Sequence, residues 1–256
     1  IVTQESNFTT PVLTIDNIGN VYVTGGFIGT TDFDPGADST ILTSVGSPNV
    51  YIAKYSGEGK LRWAKNIGGN SMGGNSACNG TGIAIDGDGN VITTGKFAYG
   101  TTDFDPGQGV NNLTAEQADY FVSKLDSAGN FVWATQIGST ANDIGYSLKT
   151  DANNNVYVTG TFIGTVDFDP GAGSYTLTSS PSVYDVFILK LDMNGSFIWA
   201  GSCGSTSGDD SYSIFVDPSN NIYATGFYQG TVDFDMGTGT FNLTSGGQRD
   251  AFVLKL

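Results

Sequence analysis

The chain has no histidine at all among its 256 residues. That removes Ser-His-Asp and Cys-His nucleophile pairs and the commonest transition-metal ligand in one stroke. Lysine and arginine are scarce too, 10 against 25 aspartates and glutamates, for a formal charge of −15. A phosphate backbone or an anionic membrane surface would be repelled by such a chain, so nucleic acid is a poor partner, whereas cations, neutral glycans and other proteins remain open. Charged residues of all kinds make up only 14 %, well under the usual ~25 %. No run approaches the ~18 apolar residues that a bilayer crossing needs, so membrane insertion is not expected. Ile1 opens directly on strand-like sequence without a charged and apolar leader, which reads as a mature or trimmed chain. The two cysteines, Cys78 and Cys203, show no metal-ligand spacing, and a disulfide between them is left open.

What is abundant is glycine, 37 residues, about twice the usual ~7 % share, and one phrase written four times. Gly164-Thr165-Val166-Asp167-Phe168-Asp169-Pro170-Gly171 has counterparts at Gly29–Gly36, Gly100–Gly107 and Gly230–Gly237, the last with Met236 in place of proline. The first Asp of each copy stands at 32, 103, 167 and 233, so the spacings are 71, 64 and 66. A turn of the form Asp-x-x-Gly/Asn-Asn precedes each copy, opening at Asp16, Asp86, Asp151 and Asp217. A lysine follows at the end of a further strand (Lys54, Lys124, Lys190, Lys255), and in three units a tryptophan comes nine residues later (Trp63, Trp133, Trp199). Such a beat makes the chain one repeat assembly, a single domain over 1–256 with units near 12–69, 83–139, 147–205 and 213–256.

Within one unit, four β-rich runs alternate with turn chemistry. Tyr146–Thr150 meets Val156–Gly160 across Asp151-Ala152-Asn153-Asn154-Asn155, and Asp185–Leu191 meets Ser196–Ala200 across Asp192-Met193-Asn194-Gly195. Asn, Asp and Gly tolerate the left-handed backbone that such hairpins require. Between strands two and three, Pro-Gly flanked by β-formers predicts that the second strand extends outward and folds back as a protruding hairpin. No capped 3.6-residue period occurs, so helix is not expected. Four antiparallel strands per unit, repeated, is the composition of an all-β β-propeller of four-stranded blades, here four. The last unit stops after its third strand, while Ile1-Val2-Thr3-Gln4 resembles the end of a fourth. Residues 1–6 are therefore expected to complete the last blade, pairing the N- and C-terminal strands to close the array.

The run Asp151–Gly160, then Asp185–Leu191, then Gly195–Ala200 resembles the SBBP family of bacterial β-propeller repeats, and the resemblance extends over residues 12 to 256. The family name anticipates seven blades, and this chain departs from it with four. The resemblance implies a secreted or cell-surface location, modules in longer chains, and no shared catalytic residues.

Two readings of the Asp-Phe-Asp phrase stand. Residues i and i+2 of a strand point to the same face ~6.6 Å apart. The pairs Asp32 and Asp34, Asp103 and Asp105, Asp167 and Asp169, and Asp233 and Asp235 are thus candidate Ca²⁺ ligands, on hairpins expected to crowd one face as an acidic crown. Alternatively, the second Asp accepts the amide two residues on in an Asx-Pro turn, and the first solvates the strand end. Asp86-Gly87-Asp88-Gly89-Asn90 begins like a calcium loop, but Phe97 stands where the twelfth-position Glu belongs, so a hairpin turn is expected. The tryptophans read as packing between blades rather than as a sugar-stacking ladder, and the lysines as side chains laid along neighbouring strands toward solvent or an adjacent Asp.

The functional expectation is a non-enzymatic extracellular module of a surface protein, adhesin or filament, with no catalytic residues and no cofactor beyond Ca²⁺. Its partners would be a protein or glycan at the cell surface, or further copies in a larger assembly. The alternative is a carbohydrate-active, glycosidase-like propeller using paired carboxylates, although no pair in the sequence is singled out for it.

Overall fold

The structure, a computed structural model, describes residues 9, 11–44, 47–68 and 78–256. Every element in it is a β-strand. The first blade comprises β1 (Val12–Ile15), β2 (Val21–Phe27), β3 (Thr30–Asp32), β4 (Ile41–Thr43), β5 (Asn49–Tyr55) and β6 (Leu61–Ile67). The second is β7 (Asn79–Ile85), β8 (Val91–Asp103), β9 (Asn112–Leu125) and β10 (Phe131–Ile137). The third runs through β11 (Ile144–Thr150), β12 (Val156–Phe162), β13 (Thr165–Asp167), β14 (Thr176–Thr178), β15 (Asp185–Leu191) and β16 (Phe197–Cys203). The fourth holds β17 (Asp210–Val216), β18 (Ile222–Tyr228), β19 (Thr231–Asp233), β20 (Asn242–Thr244) and β21 (Asp250–Lys255).

The sheets have the order β1-β2-β5-β6, β10-β9-β8-β7, β11-β12-β15-β16 and β17-β18-β21, so among the described residues three blades are four-stranded and the fourth has three strands. The strands of each blade pair antiparallel. This is an all-β propeller fold of four antiparallel blades. The expected protruding hairpins are present as the separate pairs β3–β4, β13–β14 and β19–β20. In the second blade they are continuous with β8 and β9. There β8 runs unbroken through Ala98 and Tyr99, with Tyr99 at φ 53° and Gly100 at φ 136°. The expected closing role of residues 1–6 lies outside the described residues.

Contacts divide the chain into two compact units, Ile1–Glu116 with Phe121–Thr135, and Gln117–Tyr120 with Gln136–Leu256. In the first unit, Tyr22, Val50, Ile52 and Ile67 pack with Ile83, Val91, Phe97, Phe104 and Phe121. In the second, Tyr157, Val186 and Ile188 pack with Ile214, Ala224, Phe234, Phe252 and Leu254. The alternation that puts these side chains on one face of each sheet is the period of two seen in the sequence. Cys78 and Cys203 are both buried free thiols.

Each turn opening with Asp is an Asx turn. Asp151 Oδ1 accepts the amides of Asn153 and Asn155, both at 2.9 Å, and the same pattern recurs at Asp16, Asp86, Asp126, Asp192 and Asp217. The residue three after each Asp takes positive φ: Gly19, Gly89, Gly129, Asn154, Gly195 and Asn220. A second device is less visible in sequence. The first strand carries a bulge at Gly80/Gly82, Gly145/Ser147 and Ser211/Ser213. Opposite it sits a glycine, Gly95, Gly160 or Gly226, whose added Cβ would lie 1.8 to 1.9 Å from a first-strand carbonyl oxygen.

Candidate functional site

The four Asp-Phe-Asp hairpins are built alike. Their phenylalanines, Phe33, Phe104, Phe168 and Phe234, are buried and anchor the hairpins to the blades. Cross-strand threonine hydroxyls pair at 2.8 to 3.1 Å between Thr30 and Thr43, Thr101 and Thr114, Thr165 and Thr178, and Thr231 and Thr244. The second Asp makes the Asx turn: Asp34, Asp105, Asp169 and Asp235 each accept the amide of Gly36, Gly107, Gly171 or Gly237 at 2.7 to 2.8 Å through Oδ1. Met236 replaces proline without altering that bond.

The first Asp does more than solvate a strand end. Asp167 Oδ1 accepts the amides of Asp169 at 3.0 Å and Tyr175 at 2.8 Å, tying the two sides of the loop together. Asp32 does so with Asp34 and Thr40, Asp103 with Asp105 and Asn111, and Asp233 with Asp235 and Phe241. Amides donated by Asp34 and Thr40 hold the Asp32 carboxyl below its ordinary range, and those of Tyr175 and Asp169 do the same at Asp167. A further determinant went unread in the sequence, namely a second glycine two positions after the first. At Gly109, Gly173 and Gly239 a Cβ would come within 2.1 to 2.2 Å of the remaining oxygen of Asp105, Asp169 or Asp235. The first hairpin carries Asp38 at that place.

Each hairpin thus presents two carboxylates whose Oδ1 atoms already serve the loop's own amides. Among the described residues no group of three or more His, Cys, Asp or Glu is arranged to hold a metal. A hard cation at a hairpin would have to complete its shell with main-chain carbonyls and water.

The lysines reach across to the neighbouring strand, three of them over a tyrosine ring and two toward an Asp, with Lys190 4.0 Å from Asp151. Lys54, Lys190 and Lys255 sit 5.0, 4.9 and 5.5 Å from the ring centres of Tyr22, Tyr157 and Tyr223, their cross-strand partners. Lys124 instead pairs with Asp86 at 2.9 Å. An ammonium therefore sits on the carboxylate that opens the calcium-loop look-alike, which is a hairpin turn. Trp63 and Trp199 are half-buried against the two cores rather than fully enclosed. Trp63 Nε1 donates to the Ser127 carbonyl of the second blade at 3.2 Å. Trp199 lies against Gly201 and Met236.

A second set of carboxylates was missed by sequence reasoning. Asp143, fully buried, accepts the Ser139 amide at 2.7 Å and hydroxyl at 3.1 Å, and the Ile163 amide at 3.0 Å, joining the segment between blades to the end of β12. Asp209 does the same with Ser205 at 2.6 Å and Gln229 at 2.8 Å. Burial pushes Asp143 up to about 7, the charge of Asp119 adding to it, and pushes Asp185 up to about 6, with Asp209 adding to it. The signal available was an Asp five residues before the third-strand lysine, Asp119 or Asp185, paired with one just before the next first strand, Asp143 or Asp209.

Residues 132–161 match the family model described as SBBP, Beta-propeller repeat. The chain carries an SBBP-type β-propeller repeat. The matched segment runs from within β10 to the sixth residue of β12, so the SBBP repeat is out of phase with the blade and spans the link between two blades. An uncharacterized WD repeat-containing protein of Acanthamoeba polyphaga mimivirus is 29 % identical over 244 residues, covering 84 % of this chain. The chain spans 17 % of that relative's length.

Proposed function

We propose that this SBBP-type propeller is a non-enzymatic binding or structural scaffold of an extracellular or cell-surface protein. The observation that carries the reading is the identity of the four acidic hairpins, in which the same two carboxylates take the same amides each time. Catalysis calls for one singular site, whereas presentation of a ligand surface is served by repetition. Asp32, Asp34, Asp103, Asp105, Asp167, Asp169, Asp233 and Asp235 are the proposed contacts for Ca²⁺ or for a basic segment of a protein partner, with a cell-surface glycan as a further ligand class.

Thermal melting with added Ca²⁺ and with chelator tests the cation directly. If the hairpins bind it, Tm rises with Ca²⁺ by mass action and falls on chelation, and replacing Asp167 and Asp169 by Asn removes one hairpin's share. Identical melting curves would leave the hairpins as turn chemistry alone.

The raised proton affinities of Asp143 and Asp185 are the one feature that favours a glycosidase reading, which needs a protonated carboxyl beside an ionised one. Asp143 is buried and bonded to the backbone on both oxygens, and the arrangement recurs at Asp209. That is the mark of a structural joint. Glycan turnover abolished by Asp143→Asn or Asp209→Asn would reverse this ranking.

A further inference from the structure

The six Asx turns share one geometry but differ at two positions that decide their chemistry. Just ahead of the positive-φ residue stand Ile18, Asp88, Ala128, Asn153, Asn194 and Ser219. Asn194 alone among them is an asparagine followed by glycine, and it is exposed. At such a bond the next main-chain nitrogen can approach the side-chain amide carbon with no Cβ in the way. The second difference is the fourth residue after each Asp. Asn20, Asn90, Asn130, Asn155 and Asn221 each donate a side-chain amide to Oδ2 of their Asp at 2.6 to 2.9 Å, which clips the turn shut. The Asp192 turn has Ser196 there.

The Ser196 main-chain amide reaches Asp192 Oδ1 at 2.8 Å, as in the other turns, but the asparagine clip onto Oδ2 is missing. Inside the turn, the Asn194 amide bonds Asp192 Oδ1 at 2.8 Å and the Gly195 amide bonds the Asp192 carbonyl at 3.1 Å. The least tied of the six turns is therefore the one that carries Asn-Gly. Asn79-Gly80 is the contrast within the same chain. It lies inside β7, with Asn79 paired to Lys96, Gly80 paired to Gly95, and Gly80 buried. A strand holds both residues extended, so that bond is protected until β7 leaves β8.

We infer that Asn194 is a site of spontaneous modification, converted to aspartate and isoaspartate by attack of the Gly195 main-chain nitrogen on its side-chain amide. The Gly195 nitrogen gives its proton to a solvent base and bonds to Asn194 Cγ. The Cγ–Nδ2 bond breaks, and Nδ2 takes a proton from water and leaves as ammonia. The five-membered succinimide then adds one water. Opening at one carbonyl gives aspartate, and opening at the other gives isoaspartate, in which the main chain runs through the side-chain carbon. Water is the only co-reactant. In the closed turn the Gly195 nitrogen is held on the Asp192 carbonyl, so the reaction waits for local opening, which the missing clip makes easier. The product sets a new carboxylate close to Asp192 in a chain already at −15, and isoaspartate lengthens the turn by one main-chain carbon. Both changes oppose the Asx geometry that joins β15 to β16. The inference is separate from the scaffold reading, since it holds whether or not the acidic hairpins bind a ligand.

Incubation of the full chain in warm, mildly alkaline buffer tests this, with peptide mapping to locate the product and an assay for released ammonia. Asn194 should convert to both aspartate and isoaspartate, with one ammonia released per converted side chain. Asn79 should stay intact until denaturant is added. Ser196→Asn restores the clip found in five sister turns and leaves Asn194-Gly195 in place. It should slow conversion about fivefold, the rate equivalent of one ordinary net hydrogen bond. An Asn194 that stays intact in the folded chain over the time in which it converts in the denatured chain would overturn the inference. So would equal rates at Asn194 and Asn79 in the folded chain, and so would a Ser196→Asn variant that converts as fast as the parent.

Discussion

Lys124 Nζ lies 2.9 Å from Asp86 Oδ2, with the lysine side chain 4 % and the aspartate side chain 0 % exposed. In the other three units a tyrosine hydroxyl takes the corresponding carboxylate oxygen, Tyr22 to Asp16 at 3.1 Å, Tyr157 to Asp151 at 3.0 Å and Tyr223 to Asp217 at 3.3 Å. Ile92 stands at the tyrosine position in the second unit. Without the hydroxyl, the carboxylate takes the ammonium at hydrogen-bond distance, whereas in the third unit Lys190 Nζ stands 4.0 Å from the Asp151 Oδ2 that Tyr157 already serves. Burial works against ionisation of Asp86, yet Lys124 and Asn90 hold its carboxyl below the ordinary value.

Removing one member of a buried pair strands the other. Lys124→Ala should therefore cost ~3–5 kcal/mol, while Lys54→Ala, taken from a solvent-facing cation–π contact, should cost ~0.5–1 kcal/mol. Denaturant unfolding of both variants checks this, and equal losses would show that Asp86 finds another partner.

The buried carboxylates set a pH dependence of definite sign. Asp143 and Asp185 have folded-state values near 7 and 6 against an ordinary 3.8, so the native state holds protons that the unfolded chain has released. Their destabilising charge is fully present above pH 7 and disappears as pH falls toward 4, so Tm should rise from pH 8 to pH 5. Below about pH 4 the depressed carboxylates Asp16, Asp151 and Asp217 lose the turns that need their charge, and stability should fall again. Melting curves from pH 3 to 8 test the whole profile. Asp143→Asn should flatten the slope between pH 5 and 8 whatever its absolute stability.

Two glycines four residues apart should respond in opposite degree. Gly160→Ala places a Cβ 1.9 Å from the Ile144 carbonyl oxygen at the bulge, and only main chain can yield. Gly164 has φ +82° and nothing within 4 Å, so alanine there meets only the left-handed backbone penalty, ~1–2 kcal/mol. The loss at Gly160 should clearly exceed that at Gly164 in chemical denaturation.

Trp63→Ala should cost about 2 kcal/mol, below the ~3–5 of a fully enclosed aromatic, because the ring is half-buried and loses one hydrogen bond to Ser127. A loss within about 0.5 kcal/mol, typical of surface changes, would show that the ring contributes little to the junction between the first two blades.

The repeat was legible because each unit writes its local geometry in short-range chemistry. Asp151 and Asn154 specify a turn within five residues, alternation around Val158 specifies a face, and Phe168 between two acids specifies a hairpin pinned at its middle. None of these needs a distant partner, so the sequence alone determined the strands, the turns, the protruding hairpins and the class of fold. What the second carboxyl oxygen of Asp169 touches, why Lys124 is buried where Lys54 is not, and the protonation of Asp143 depend on residues brought together across strands and blades. Desolvation and cross-blade contact are sums over neighbours far apart in the chain, and only the tertiary structure decides them. The same holds for Leu13 and Ile214, alike in sequence position and in chemistry, of which one is buried by a neighbouring blade and the other is exposed to solvent.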